Sequence, residues 1–152
     1  MLIEKAGHSD LEEILALQKL AYQSEAALLN DWTIQPLTQS LDEVEREFFG
    51  GIILKMTDDG GRIVGSLRCR AAGGTGYIGK VIVHPDRQNG GLGSQLMREL
   101  ERVCPCPRYE LFTSAGSPRN LRFYRKLGYV SFQEKEHAPG LTMVYFEKRT
   151  FV

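Results

Sequence analysis

An excess of either charge is missing from this 152-residue chain, in which 19 Lys and Arg balance 19 Asp and Glu. No overall field draws it to nucleic acid or to an anionic membrane, although a local patch stays open. Long apolar runs are missing too, and the N-terminal MLIEKAGHSD has neither a basic n-region nor an apolar h-region. A cytoplasmic protein with no nucleic-acid or membrane partner is expected. Cysteine is scarce and odd in number: Cys69, Cys104 and Cys106, the last two separated only by Pro105. That spacing is too short for an easy mutual disulfide, so reduced thiols are expected. No second Cys or His pair stands near Cys104 and Cys106 to complete a tetrahedral site, so no metal is expected.

What is present suits one globular domain over residues 1–152, with 42% apolar and 25% charged residues. Ser9-Asp10-Leu11-Glu12 reads as a capping box opening a helix from about Asp10 to Leu28, with Leu11, Ile14, Leu15, Gln18 and Tyr22 as its inner stripe. Ser40-Leu41-Asp42-Glu43 repeats the box before Val44 and Phe48 and predicts a second, shorter helix. Between them, Asn30 to Gln39 has no period and contains Pro36, so it reads as a loop, with Trp32 packed beneath it.

Gly51–Thr57 and Arg62–Arg70 flank Asp58-Asp59-Gly60-Gly61, which predicts a hairpin, and Tyr77–His84 adds a third strand. A helix runs from Gly91, with Leu92, Leu96, Leu100 and Val103 on one face, until Pro105 and Pro107 stop it. A strand at Tyr109–Ser114 precedes a helix capped by Ser117-Pro118 and ended by Gly128. Tyr129–Glu134 and Leu141–Lys148 read as strands joined by the loop KEHAPG, and Leu2–Lys5 can add a short one. The order predicts a mixed α/β fold whose first half is largely antiparallel.

The segment Val81–Ser94, VIVHPDRQNGGLGS, takes an apolar strand through a glycine-rich turn directly into an amphipathic helix. The first amides of a helix lack internal acceptors and point outward at the positive end of the dipole, so this turn is an anion site suited to a pyrophosphate. No Lys followed by Ser or Thr comes after the glycines, which argues against a P-loop, and GGLG lacks the G-x-G-x-x-G spacing of a dinucleotide fold.

Gln88-Asn89-Gly90-Gly91-Leu92-Gly93 resembles the Gln/Arg-x-x-Gly-x-Gly/Ala signature of the GNAT superfamily of N-acetyltransferases. A second segment, Asn120-Leu121-Arg122-Phe123-Tyr124-Arg125-Lys126-Leu127-Gly128-Tyr129, is similar to that family's Asn-x-x-Phe-Tyr-x-Lys-Leu-Gly-Tyr/Phe helix. The element order fits as well. The resemblance implies a three-layer fold: a mostly antiparallel, twisted sheet of six or seven strands, flanked by four helices and splayed at the cofactor site. It implies acetyl-CoA as cosubstrate, a primary-amine acceptor, direct attack of the amine, and a monomer or homodimer.

Carried onto this chain, the resemblance has Ile82 and Val83 pairing with the pantetheine arm through their backbones, and the Val83 amide facing the oxyanion. Amides of Gln88, Asn89, Gly90, Gly91, Leu92, Gly93 and Ser94 hold the pyrophosphate, with Ser117 and Asn120 near the cofactor. Tyr124, four residues beyond Asn120 and so on the same helical face, becomes the general acid toward the leaving thiolate, since a phenol has a pKa of about 10. Many relatives carry a glutamate on the strand before the glycine turn; Gly79 and Lys80 stand there instead, leaving Glu110 and His84 as replacement bases. The acceptor site is expected in the first half, with Tyr22, Glu25, Asn30, Asp31 and Trp32 available. A sensor that binds acyl-CoA without turning it over is the alternative from another class.

Overall fold

Residues 1–150 are described by a computed structural model. In chain order the elements are β1 (Leu2–Lys5), α1 (Leu11–Ala21), α2 (Gln23–Leu29), α3 (Gln35–Thr38), α4 (Leu41–Phe49), β2 (Ile52–Thr57), β3 (Ile63–Ala72), β4 (Thr75–Val83), α5 (Leu92–Val103), β5 (Arg108–Ser114), α6 (Pro118–Lys126), β6 (Val130–Ala138) and β7 (Leu141–Arg149). The strands form one seven-stranded sheet in the order β1-β2-β3-β4-β5-β7-β6. Every neighbouring pair is antiparallel except β4 and β5.

Each face of the sheet has its own core. On one side Leu11, Ile14 and Leu17 of α1 and Val44 of α4 pack with Ile53, Ile63 and Ile82. On the other, Leu96, Met97 and Leu100 of α5 and Tyr124 of α6 pack with Leu54, Leu67, Leu111 and Phe146. Fully burying one such aliphatic side chain contributes about 1.5–3 kcal/mol, so the two apolar stripes fix which helix covers which face. The result is the expected three-layer mixed α/β fold.

Several local expectations are corrected. Ser9 does not cap α1; the backbone N–H of Gly7 donates to Asp10 Oδ2 at 2.8 Å, and Asp10 is held in turn by Lys55 at 2.9 Å. The long first helix is two. Its inner stripe changes direction at Tyr22, where ψ is −2°, and α2 then runs to Asn30 in the left-handed region. The supposed loop after it contains the single turn α3, because Pro36 near a helix start costs no hydrogen bond. Trp32 is 56% exposed and packs beneath nothing.

The KEHAPG loop is mostly strand. β6 continues to Ala138, and all nine of its residues are exposed, so no alternation marked it. By contrast, the second capping box forms as expected: Ser40 Oγ accepts from the Glu43 N–H at 3.2 Å, and the Ser40 N–H donates to Glu43 Oε1 at 3.1 Å.

One polar network sits under the sheet. Arg68 of β3, 6% exposed, donates to Gln39 Oε1 at 3.0 Å, to Gln18 and to Glu47, while its Nε has no partner. Gln18 itself donates to Gln39 Oε1 and to the Pro36 carbonyl, both at 2.9 Å. In the ion pair Arg68 is the buried member and Glu47 the exposed one, so removing the glutamines would leave the guanidinium short of buried partners.

Candidate functional site

The site begins where two strands part. β4 and β5 share only three rungs, Thr75 with Arg108, Gly76 with Tyr109 and Tyr77 with Glu110, and no pairing follows. Opposite Leu67 of β3, β4 carries two residues, Lys80 and Val81, and Lys80 has φ +51°. Such a bulge bends the strand and raises its twist, which helps to carry β4 away from β5. Beyond it the His84 N–H donates to the Val64 carbonyl at 2.8 Å. That bond makes Gly65 and Val83 a non-hydrogen-bonded pair, so the Val83 N–H and C=O turn away from β3 toward the gap, whereas those of Ile82 turn back toward Ser66.

The gap ends at the glycine turn. Gly91 holds φ +78° as the residue before α5, with open space where a side chain would stand. A non-glycine residue there would be strained, and the first amides of α5, from Leu92, Gly93 and Ser94, have no partner within the helix. Gly93 has a different reason. A Cβ there would lie 3.1 Å from the Phe123 ring, so a larger residue would push the ring back by a few tenths of an ångström where α6 closes against α5. Asn89 is also left-handed, at φ +67°. The Gln88 side chain ties the turn together, donating to the Val83 carbonyl at 3.3 Å and accepting from Arg119 at 2.7 Å.

α6 forms the other wall. Ser117 Oγ accepts from the Asn120 N–H at 3.4 Å, and the Asn120 side chain donates to Thr113 of β5 at 3.3 Å. Tyr124 is 7% exposed, its ring 5.0 Å from Phe123 and 6.0 Å from Phe146 between centroids. Among the described residues its hydroxyl has no hydrogen-bond partner. Burial, and after it the Glu25 charge, pushes the phenol well above its ordinary range, so it stays a donor.

The two replacement bases are otherwise engaged. Glu110 receives Arg108 at 3.0 Å, and Arg108 also holds Glu147 at 2.8 Å. Glu110 lies on the last shared rung, alternating with Tyr109 and Leu111, which face the core that contains Tyr124. His84 Nδ1 accepts from the Asp86 N–H at 3.1 Å and so caps the short turn Pro85–Arg87. Of the residues expected around the acceptor, Asn30 is the exposed end of α2, and Asp31 accepts from the Thr33 N–H at 2.9 Å and the Thr33 hydroxyl at 2.6 Å. Tyr22 and Glu25 face inward. Burial first, then Glu25 and Tyr124, raise the Tyr22 phenol.

Lys80 is half-buried at the bulge, and burial lowers its pKa while Glu47 and Glu25 oppose the shift. All three cysteines are free thiols, and burial first, then the neighbouring Cys104 and Cys106, pushes Cys69 up to about 12. Among the described residues no group of three or more His, Cys, Asp or Glu is arranged to hold a metal ion, and no helix is long and apolar enough to cross a membrane.

Known proteins share this arrangement. The uncharacterised N-acetyltransferase ycf52 of Porphyra purpurea is 28% identical over 100 residues, which are 65% of this chain and 58% of that protein, so the chain spans less than two thirds of that relative's length. The PaiA N-acetyltransferase of Thermoplasma acidophilum, solved in complex with coenzyme A, has the same fold with a TM-score of 0.78 at 16% identity, over 99% of this chain and 100% of that one. The ribosomal-protein-S18-alanine N-acetyltransferase of Escherichia coli also gives a TM-score of 0.78, at 15% identity over 97% of this chain and 92% of that one. The model of the acetyltransferase (GNAT) family matches residues 11–129. The open gap between β4 and β5, closed by the glycine turn of α5, is therefore seated in a fold shared with N-acetyltransferases, and the chain belongs to the acetyltransferase (GNAT) family.

Proposed function

We propose that this protein transfers an acetyl group from acetyl-CoA to a primary amine by direct attack. The observation that carries the reading is the divergence of β4 and β5 after three rungs, with the unpaired N-terminus of α5 at its mouth. The cosubstrate fits this frame. The Val83 backbone turns its N–H toward the gap, Gly91 leaves open space beside the first helical amides, and the Tyr124 hydroxyl is an unused donor.

Acetyl-CoA supplies an activated thioester; the chain supplies position and protons. In this reading the amides of Gln88 to Ser94 hold the pyrophosphate, with the dipole of α5 behind them. The Val83 edge orients the pantetheine arm, and its N–H lies on the side where negative charge develops on the carbonyl oxygen. Asn120 and Ser117 brace α6 so that Tyr124 can give its proton to the departing sulfur.

One observation favours the alternative of a non-catalytic acyl-CoA sensor: Glu110 and His84 are both tied to neighbours. Thiol release from acetyl-CoA, measured with n-butylamine, 1,4-diaminobutane, lysine and a tripeptide with a free N-terminus, separates the two readings. Turnover with at least one amine is expected, together with loss of cofactor binding by calorimetry in Gly91→Glu. Tight binding without turnover would establish the sensor, and unchanged binding in Gly91→Glu would detach the glycine turn from the cofactor.

A further inference from the structure

The reaction needs a group to take the proton of the acceptor's ammonium, and the expected candidates are committed elsewhere. α2 offers another. Its inward face carries Tyr22, Glu25, Ala26 and Leu29, which are buried or half-buried, while Gln23, Ser24, Ala27 and Leu28 face outward. Ala26 is wholly buried, so the helix is pressed down at that point. Leu29 reaches the turn before α6, where a Cβ added to Gly116 would stand 3.4 Å from its Cδ2. The C-terminal end of α2 therefore lies against the turn before α6, and Glu25 is half-buried on the inward face of the helix, one turn before Leu29. We propose that Glu25 receives the acceptor's ammonium group and acts as the general base, with Lys80 as its positioning cation.

The surroundings support both roles. Glu25 has no ion pair within 4 Å among the described residues, so its oxygens are not spent on a neighbour. Burial raises its pKa and the Lys80 charge pulls it back, which leaves a carboxylate more basic than an exposed one. Its charge acts on Tyr22 from the head of α2 and on Tyr124 from α6. Burial first, and this charge second, raise both phenols and keep them protonated, the form Tyr124 must have to act as an acid. Beyond Lys80 stand Glu47 and Glu43 of α4 and Arg68 of β3, whose charges act on Lys80.

The protons balance. The ammonium loses one proton to Glu25, which passes it to solvent. The free amine nitrogen bonds to the acetyl carbon, the C–S bond breaks, and the sulfur takes the Tyr124 proton. The second proton lost from the nitrogen restores the phenol. One amide, one thiol and one released proton result.

The inference rests on the acetyltransferase reading, and the experiment keeps the two apart. The amine turned over best by the wild-type protein is used to record kcat/KM against pH for the wild type, Glu25→Gln, Glu25→Asp and Lys80→Met, with coenzyme A affinity measured by calorimetry. Glu25→Gln is expected to lower kcat/KM by about 10²–10⁴-fold at neutral pH with unchanged coenzyme A affinity, and to lose the acid limb of the profile. Glu25→Asp should restore part of the rate. Lys80→Met should move the acid limb to higher pH, a shift that a merely structural lysine would not produce. A wild type that releases no thiol with any amine overturns the acetyltransferase reading itself. An active wild type whose profile is reproduced by Glu25→Gln overturns the role of Glu25 alone.

Discussion

At the scale of single residues, the proposed reaction gives Tyr124 a second task beside packing, and one substitution can separate the two. Its ring fills the core against Phe123, Tyr129 and Phe146, and its hydroxyl is bonded to nothing. Tyr124→Phe keeps the ring and removes the proton donor, so kcat should fall on the order of 10²-fold while coenzyme A affinity and Tm stay as they were. An unaltered kcat in a thiol-release assay would return Tyr124 to packing alone. Tyr124 was legible because Asn120 and Tyr124 sit at helical spacing inside a recognisable segment. Glu25 stood out only as one acidic residue among several, since the groups with which its charge interacts, Lys80 and Tyr124, lie 55 and 99 residues further along the chain. The Arg68 network left one trace, a glutamine at position 18 of an otherwise apolar stripe. Nothing in the spacing showed that Gln39 and Glu47 would meet it.

At the scale of elements, two identical signatures had different fates. Ser40 and Glu43 form a reciprocal cap on α4, whereas Ser9 and Glu12 do not cap α1 because Asp10, fastened by Lys55, takes the Gly7 amide instead. Ser40→Ala should therefore cost about 1 kcal/mol and lower Tm by about 2–4 °C. Ser9→Ala should leave it unchanged. Thermal melts of the two variants check the contrast, and equal shifts would contradict the caps described. β2 and β3 were readable because their largely buried runs flank the turn Asp58-Asp59-Gly60-Gly61, and β5 because its burial nearly alternates. β6 was cut short because its hydrogen bonds to β7, and not any apolar pattern, define it. The bend at Tyr22 was hidden for a related reason: the backbone stays nearly helical through it, and only the direction of burial changes.

At the scale of the molecule, the order of elements and the two-faced core followed from periodicity, while the strand order placing β7 between β5 and β6 could not. It depends on β7 returning between its neighbours, a long-range choice that no local pattern records. The three shared rungs of β4 and β5 have a mechanical meaning. Four strands on one side and three on the other behave as two plates joined by a narrow hinge. A ligand lying along the parted edges acts as a splint. At 100 times its Kd, coenzyme A should stabilise the fold by about 2.7 kcal/mol, or roughly 5–11 °C in Tm. Hydrogen exchange should slow chiefly at residues 81–84 and 111–114, on the two sides of the opening, with little change in β1 or β6. Protection spread evenly over the sheet would mean that the plates were already rigidly joined. The glycine turn would then be an anchor at the rim, and not the clasp that closes the hinge.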